Sequence, residues 1–275
     1  MLLPNLTLSD LRRKKERVPY NSGWLGASRL GAGLGKRQRK VGAVIVHGFT
    51  SNNRAVAPLQ GVAQALGMET ELPLLRGHGG HYRDLRGCCW DDWLADLAAA
   101  RARLRQRVDH VVLMGFSMGG LLALAAGAEH TSEVAAIVAL APALRIAHPL
   151  APIAWMARGW LPFVPMGKAV AYSDPALAIN DDSYTRLAID AFCSFQRATH
   201  KVERALPRIT APLLIAHSRN DRVIRPQAAQ VAFERVQSVD KELVWVERSG
   251  HALLEDCDAP TVLQHVHRFL ATRCG

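Results

Sequence analysis

The chain lacks any apolar run approaching the ~18 residues that a helix needs to cross a bilayer, although 49% of its 275 residues are hydrophobic. Behind the N-terminal charges there is also no apolar stretch of about 7–15 residues, the length of a secretory signal core, so a cytoplasmic protein is the expectation. Cysteine is scarce. Cys88, Cys89, Cys193, Cys257 and Cys274 are odd in number and show no CxxC spacing, which argues against a disulfide framework or a thiol zinc site. The adjacent Cys88 and Cys89 read as packing or loop positions. No internal repeat is evident.

Acidic residues are nearly missing from the start of the chain. Residues 1–40 hold ten basic residues against Asp10 and Glu16, a balance of +8, which leaves only +2 of the total +10 for residues 41–275. Any attraction to an anionic surface therefore belongs to this leading segment, and no nucleic-acid partner is expected for the remainder. Residues 1–40 read as a solvated, Gly-rich basic extension. Residues 41–275 read as one domain with an insertion, a normal size for a single α/β unit.

From residue 41 the pattern changes. Short β-branched apolar runs at 41–47, 68–72, 110–114, 134–140, 213–217 and 243–246 have the character of strands buried on both faces. Helix-like stretches at 54–66, 91–106, 118–128, 227–236 and 259–271 lie between them. In 91–106 the stripe Leu94, Leu97, Ala98, Arg101, Leu104 has helical spacing, and Asp91 and Asp92 suit a helix N-terminus. This alternation predicts an α/β fold: a mostly parallel sheet with helices on both faces. It fails from about 142 to 200, where Pro142, Pro149, Pro152, Pro162, Pro165 and Pro175 accompany Trp155, Met156, Trp160, Phe163 and Met166. That stretch reads as a small cap of short helices and turns.

The segment that carries chemistry is Gly115-Phe116-Ser117-Met118-Gly119, with a strand-like run before it and a helix-like run after it. A sharp strand-to-helix turn of this kind exposes the serine hydroxyl at a helix N-terminus, and small residues on either side relieve crowding. A serine needs a base to take its proton and an acid to fix the base's tautomer. Asp221 follows the strand 213–217 and His251 follows the strand 243–246, in the order Ser, acid, His that this turn usually brings. Asp240 and Asp256 are rival acids less well placed. Backbone N–H groups of Met118 and of Phe49, after the first strand, are the expected oxyanion-hole donors. His47 reads as a loop-shaping residue. Trp155, Met156, Trp160 and Phe163 are candidate substrate contacts by composition. His78 and His81 form an HxxH pair in a Gly-rich loop without an obvious third ligand, so the expectation is no metal. Trp90 and Trp93 read as packing residues.

His47-Gly48-Phe49-Thr50-Ser51, Arg76-Gly77-His78-Gly79, Trp90-Asp91-Asp92-Trp93, Gly115–Gly120, Asn220-Asp221 and Ser249-Gly250-His251 follow one another in this order. Together they resemble the bacterial carboxylesterase and monoacylglycerol lipase branch of the α/β-hydrolases, over roughly residues 41–271. The resemblance implies hydrolysis of short-to-medium acyl esters or monoacylglycerols, a small cap and no cofactor. The same triad also serves acyltransferases, thioesterases and C–C bond hydrolases. The remaining alternative is a non-catalytic binding or scaffolding protein anchored by its basic N-terminus, against which stands the retention of all three candidate triad residues.

Overall fold

The structure, a computed structural model, describes residues 39–274; the basic segment expected over 1–40 lies outside them except for its last two residues. In chain order the elements are β1 (Val41–Val46), α1 (Ala57–Ala65), β2 (Glu69–Glu71), α2 (Trp90–Arg105), β3 (His110–Phe116), α3 (Met118–Glu129) and β4 (Val134–Leu140). After an irregular excursion containing β5 (Phe163–Pro165) and β6 (Arg186–Ala188) come α4 (Ile189–Ala205), β7 (Leu213–Ser218), α5 (Gln227–Arg235), β8 (Lys241–Val246) and α6 (Ala259–Cys274). Six strands form one sheet in the order β2-β1-β3-β4-β7-β8, every pairing parallel. The expected α/β fold with helices on both faces and a small cap is present.

The sequence explains the layering. β3 and β4 are apolar at nearly every position because both of their faces are covered. One face packs Leu59 and Ala63 of α1 with Val262, Val266 and Phe269 of α6. The other packs α2, α3, α4 and α5. α3 is buried from Met118 to Ala128, since it lies on the sheet and is itself covered by α2 and α4. A helix apolar all round suits such a position. Its Gly127 stands where a Cβ would meet Ile137 Cδ1 at 2.3 Å. The edge strand β2 is short and carries Glu69 and Glu71, which pair with Arg107 and Arg103 and leave little unpaired apolar edge.

Two sequence expectations change. The buried stripe of α2 is Trp90, Trp93, Leu97, Ala100 and Leu104, while Ala98 is exposed and Leu94 only half-buried. The stripe is rotated because the two tryptophans, the largest apolar groups on the helix, turn inward. The region expected to be irregular through residue 200 ends at β6, and the 17-residue α4 follows at once. Between β4 and β6 the chain does form short turns, with β5 and β6 as a small antiparallel pair. Among the described residues no helix is long and apolar enough to cross a membrane.

Candidate active site

All four loops of interest leave the carboxyl ends of strands β1, β3, β7 and β8, where parallel sheets place their sites. β3 ends at Phe116 and α3 begins at Met118, so Ser117 alone makes the turn, with φ 56° and ψ −116°. A positive φ costs a non-glycine residue roughly 1–3 kcal/mol unless its surroundings impose it. Here Ser117 N donates to Leu140 O at 2.8 Å, and Ser117 O accepts from Leu121 N and Ala143 N. Gly115 and Gly119 let the turn close: a Cβ on Gly115 would lie 2.2 Å from the carbonyl of Gly119, and one on Gly119 would lie 2.1 Å from Val46 O.

β7 and β8 pair in register as far as Ser218 and Val246, which brings their following loops together. His251 Nδ1 lies 2.7 Å from Asp221 Oδ2, and its Nε2 lies 3.0 Å from Ser117 Oγ. All three side chains are buried to within a tenth of their surface. Asp221 Oδ1 accepts from Val223 N and Ile224 N, both at 2.8 Å. Burial works against ionisation of Asp221, but His251 and His217 beside it outweigh burial and hold the carboxyl well below the usual carboxylate range. With the acid ionised, Nδ1 of His251 carries the proton and Nε2 presents its lone pair to Ser117.

The loop after β1 lies against this group, since a Cβ on Gly48 would come within 3.3 Å of Ser117 Cβ. The loop that carries Phe49 thus runs beside Ser117, and Met118 follows the serine at the start of α3. Two neutral imidazoles shape this loop. His47 Nε2 accepts from Leu75 N and its Nδ1 donates to Gly48 O at 2.8 Å. His78 Nε2 accepts from Thr50 N at 3.1 Å and its Nδ1 donates to Arg76 O. Thr50 has φ 66°, a second non-glycine residue in the left-handed region beside the site. Burial pushes His47 down to about 3, helped by neighbouring His78, and pushes His78 down to about 4.

These values give a pH prediction. Both histidines bind protons more readily in the unfolded chain, near pH 6.5, than in the fold. Stability is complete above about pH 6.5 and falls as pH drops toward about 4, by up to about 1.4 kcal/mol per unit for each histidine. Urea midpoints measured from pH 7.5 to 4.5 are expected to decline, and His78→Gln is expected to flatten part of that slope. An unchanged slope in the variant would remove His78 from this account.

The other residues singled out in the sequence separate clearly. Trp155, Met156 and Trp160 of the cap are 65%, 62% and 91% exposed. Phe163 is half-buried in β5 with its ring edge on Tyr82. The Met118 side chain is fully buried in the core and leaves only its backbone for the site. Phe49 packs among Trp93, Phe192 and Phe195 with ring centroids 5.6–6.4 Å apart. Trp93 also donates its indole N–H to Arg76 O, so both tryptophans of α2 are packing residues. His81 caps the short turn Tyr82–Leu85 through Arg83 N. Of the rival acids, Asp240 pairs with Arg273 at the surface, and Asp256 is buried in the loop that carries His251. Sequence reasoning misses His217, whose Nε2 lies 3.2 Å from Asp221 Oδ2 and 3.3 Å from Ile224 O. Its position four residues before Asp221, at the end of the same strand, is the signal that could have found it.

The chain is similar in sequence and in fold to known hydrolases. The family model described as serine aminopeptidase, S33 (Hydrolase_4) matches residues 37–258. The thermostable monoacylglycerol lipase of Bacillus sp. (strain H-257) is 30% identical over 237 residues, spanning 86% of this chain and 92% of that protein. The carboxylesterase of Bacillus subtilis (strain 168) is 24% identical over 229 residues, 82% of this chain and 91% of that protein. Among solved structures, one from a study of LipS and LipT, two metagenome-derived lipolytic enzymes, superposes with a TM-score of 0.80 at 26% identity, covering 86% of this chain and 95% of that one. The chain belongs to the Hydrolase_4 family of α/β-hydrolases, in the branch that contains bacterial carboxylesterases and monoacylglycerol lipases.

Proposed function

We propose that this lipase- or esterase-type hydrolase cleaves carboxylic esters, of short-to-medium acyl chains or of monoacylglycerols, through an acyl-enzyme on Ser117. The observation that carries the reading is the position of His251, which bridges Ser117 Oγ at 3.0 Å and Asp221 Oδ2 at 2.7 Å. In this mechanism Ser117 attacks the ester carbonyl while Nε2 of His251 takes its proton. Asp221 steadies the imidazolium, and the N–H groups of Phe49 and Met118 receive the developing oxyanion. His251 then protonates the leaving alcohol and activates a water that releases the acid. No step calls for a metal or cofactor. The substrate class is carried over from the monoacylglycerol lipase and carboxylesterase relatives.

Turnover of p-nitrophenyl esters of increasing acyl length tests this reading. A single optimum at short or medium length, abolished by prior treatment with a fluorophosphonate, is the expected result. Absence of any fluorophosphonate-sensitive turnover across the series would overturn it and bring thioester or acyl-transfer substrates forward.

A further inference from the structure

The excursion between β4 and α4 is largely exposed, and neither of its turns Lys168–Ala171 and Pro175–Asn180 buries a side chain. Three of its attachments to the body fall on loops that carry the site. At its start, Ala147 N donates to Val223 O and Arg225 N donates to Arg145 O, on the loop of Asp221. Near its end, Tyr184 N donates to Thr50 O at 2.8 Å, and the Tyr184 hydroxyl donates to Gly77 O and accepts from Gly80 N. Between these, residues 171–173 lie on the loop of His251.

That middle attachment is the densest. Asp256, 4% exposed, accepts through Oδ2 from Gly250 N and Ser173 N, both at 2.7 Å. Its Oδ1 accepts from Ser173 Oγ at 2.5 Å and from Cys257 N at 2.8 Å. On the other side of the histidine, Ala252 N donates to Ala171 O at 2.9 Å. The cap and the carboxylate thus hold the residues immediately before and after His251. Contact is close: a Cβ on Gly250 would sit 2.7 Å from Ala171 O. The neighbouring Asp258 secures only the root of the loop, accepting from Arg248 N and Ser249 N.

We propose that Asp256 and Ser173 form a latch through which the cap holds His251 in line with Ser117 and Asp221, so that Asp256 is a positioning residue of the reaction. This rests on the reading of His251 as the base. Charge-assisted bonds to backbone N–H groups are strong and directional. A shift of about 1 Å in a catalytic group is enough to cost up to about 10²-fold in rate. Asp256, the rival acid of the sequence, thereby orients the loop that bears the base instead of the base itself.

The experiment compares Asp256→Ala, Asp256→Asn, Ser173→Ala and His251→Ala in the full chain. It measures kcat and KM for p-nitrophenyl butyrate per fluorophosphonate-titrated site, the acid limb of kcat/KM, and thermal midpoints. Asp256→Ala is expected to lower kcat per site at least about tenfold with KM within about twofold, and to move the acid limb. Asp256→Asn should recover part of the loss, because its amide oxygen still accepts from Gly250 and Ser173. Ser173→Ala should show a smaller loss of the same kind. If Asp256→Ala lowers only the thermal midpoint and the number of titratable sites, the residue is merely structural and the proposal fails. Should that variant not fold, unchanged kcat and acid limb in both Asp256→Asn and Ser173→Ala would overturn it. His251→Ala distinguishes the two layers: undiminished turnover there would defeat the base and the latch with it, whereas lost turnover there beside unchanged kcat and acid limb in the Asp256 and Ser173 variants would defeat the latch alone.

Discussion

Replacing Ser117 with alanine is expected to remove at least about three orders of magnitude of ester turnover while leaving the fold in place. The substitution deletes one oxygen, the atom 3.0 Å from His251 Nε2. Alanine keeps the Cβ, so the strain at φ 56° is the same in both proteins. The backbone bonds of residue 117 to Leu140, Leu121 and Ala143 do not involve the hydroxyl. A thermal midpoint within a few degrees of the wild type should accompany the lost activity. Asp221→Asn should be nearly as damaging, by about four orders of magnitude if it follows other triads. Its amide oxygen would be drawn to the Oδ1 position, where Val223 N and Ile224 N both donate. The NH2 would then face Nδ1 of His251 and force the proton onto Nε2, the tautomer that cannot accept from Ser117. Wild-type-like turnover in a folded Ser117→Ala protein would show that the observed triad geometry is not the working site.

The parts of this arrangement that are legible in the sequence are those set by backbone constraints. A strand, a G-x-S-x-G turn and a helix leave little freedom, and the structure puts Ser117 alone between β3 and α3. Asp221 and His251 are identified by their positions after late strands, and the fold brings both to Ser117. α4 escapes a reading of the sequence because its apolar stripe, Ile189, Cys193, Phe195, Ala198 and Val202, follows directly on a Pro-punctuated stretch and starts at Ala188 without a side-chain cap. With Phe, Cys and Thr on that face, local propensity gives little warning, and burial against α3 decides the outcome. The cap aromatics illustrate a different gap. Composition shows apolar residues but not their burial, and Trp160 is 91% exposed. In the sequence Asp256 reads only as a competitor of Asp221, because the residues it serves, Ser173 and Gly250, are 83 and 6 positions away.

The most severe consequence for folding is expected at Gly119. Neither glycine of the turn has a positive φ, so the requirement is for space and not for conformation. A Cβ at position 119 would stand 2.1 Å from Val46 O and 2.6 Å from His47 O, atoms of a central strand and of the loop that follows it. Backbone paired on both sides cannot retreat, since β1 is hydrogen-bonded to β2 and to β3. Overpacking against adaptable side chains typically costs about 1–3 kcal/mol. Against fixed backbone, Gly119→Ala should exceed that and approach about 4 kcal/mol or more, a large part of a domain's usual 5–15 kcal/mol. Gly61→Ala is the matching control. Gly61 lies in the exposed face of α1, and a Cβ there would meet nothing within 4 Å. That substitution should add roughly 0.5–1 kcal/mol by reducing the freedom of the unfolded chain. Urea unfolding of both variants checks the pair. Opposite signs support a turn whose glycines are dictated by the approach of α3 to β1, whereas a mild effect of Gly119→Ala would mean that the strand and helix separate more easily than this packing implies.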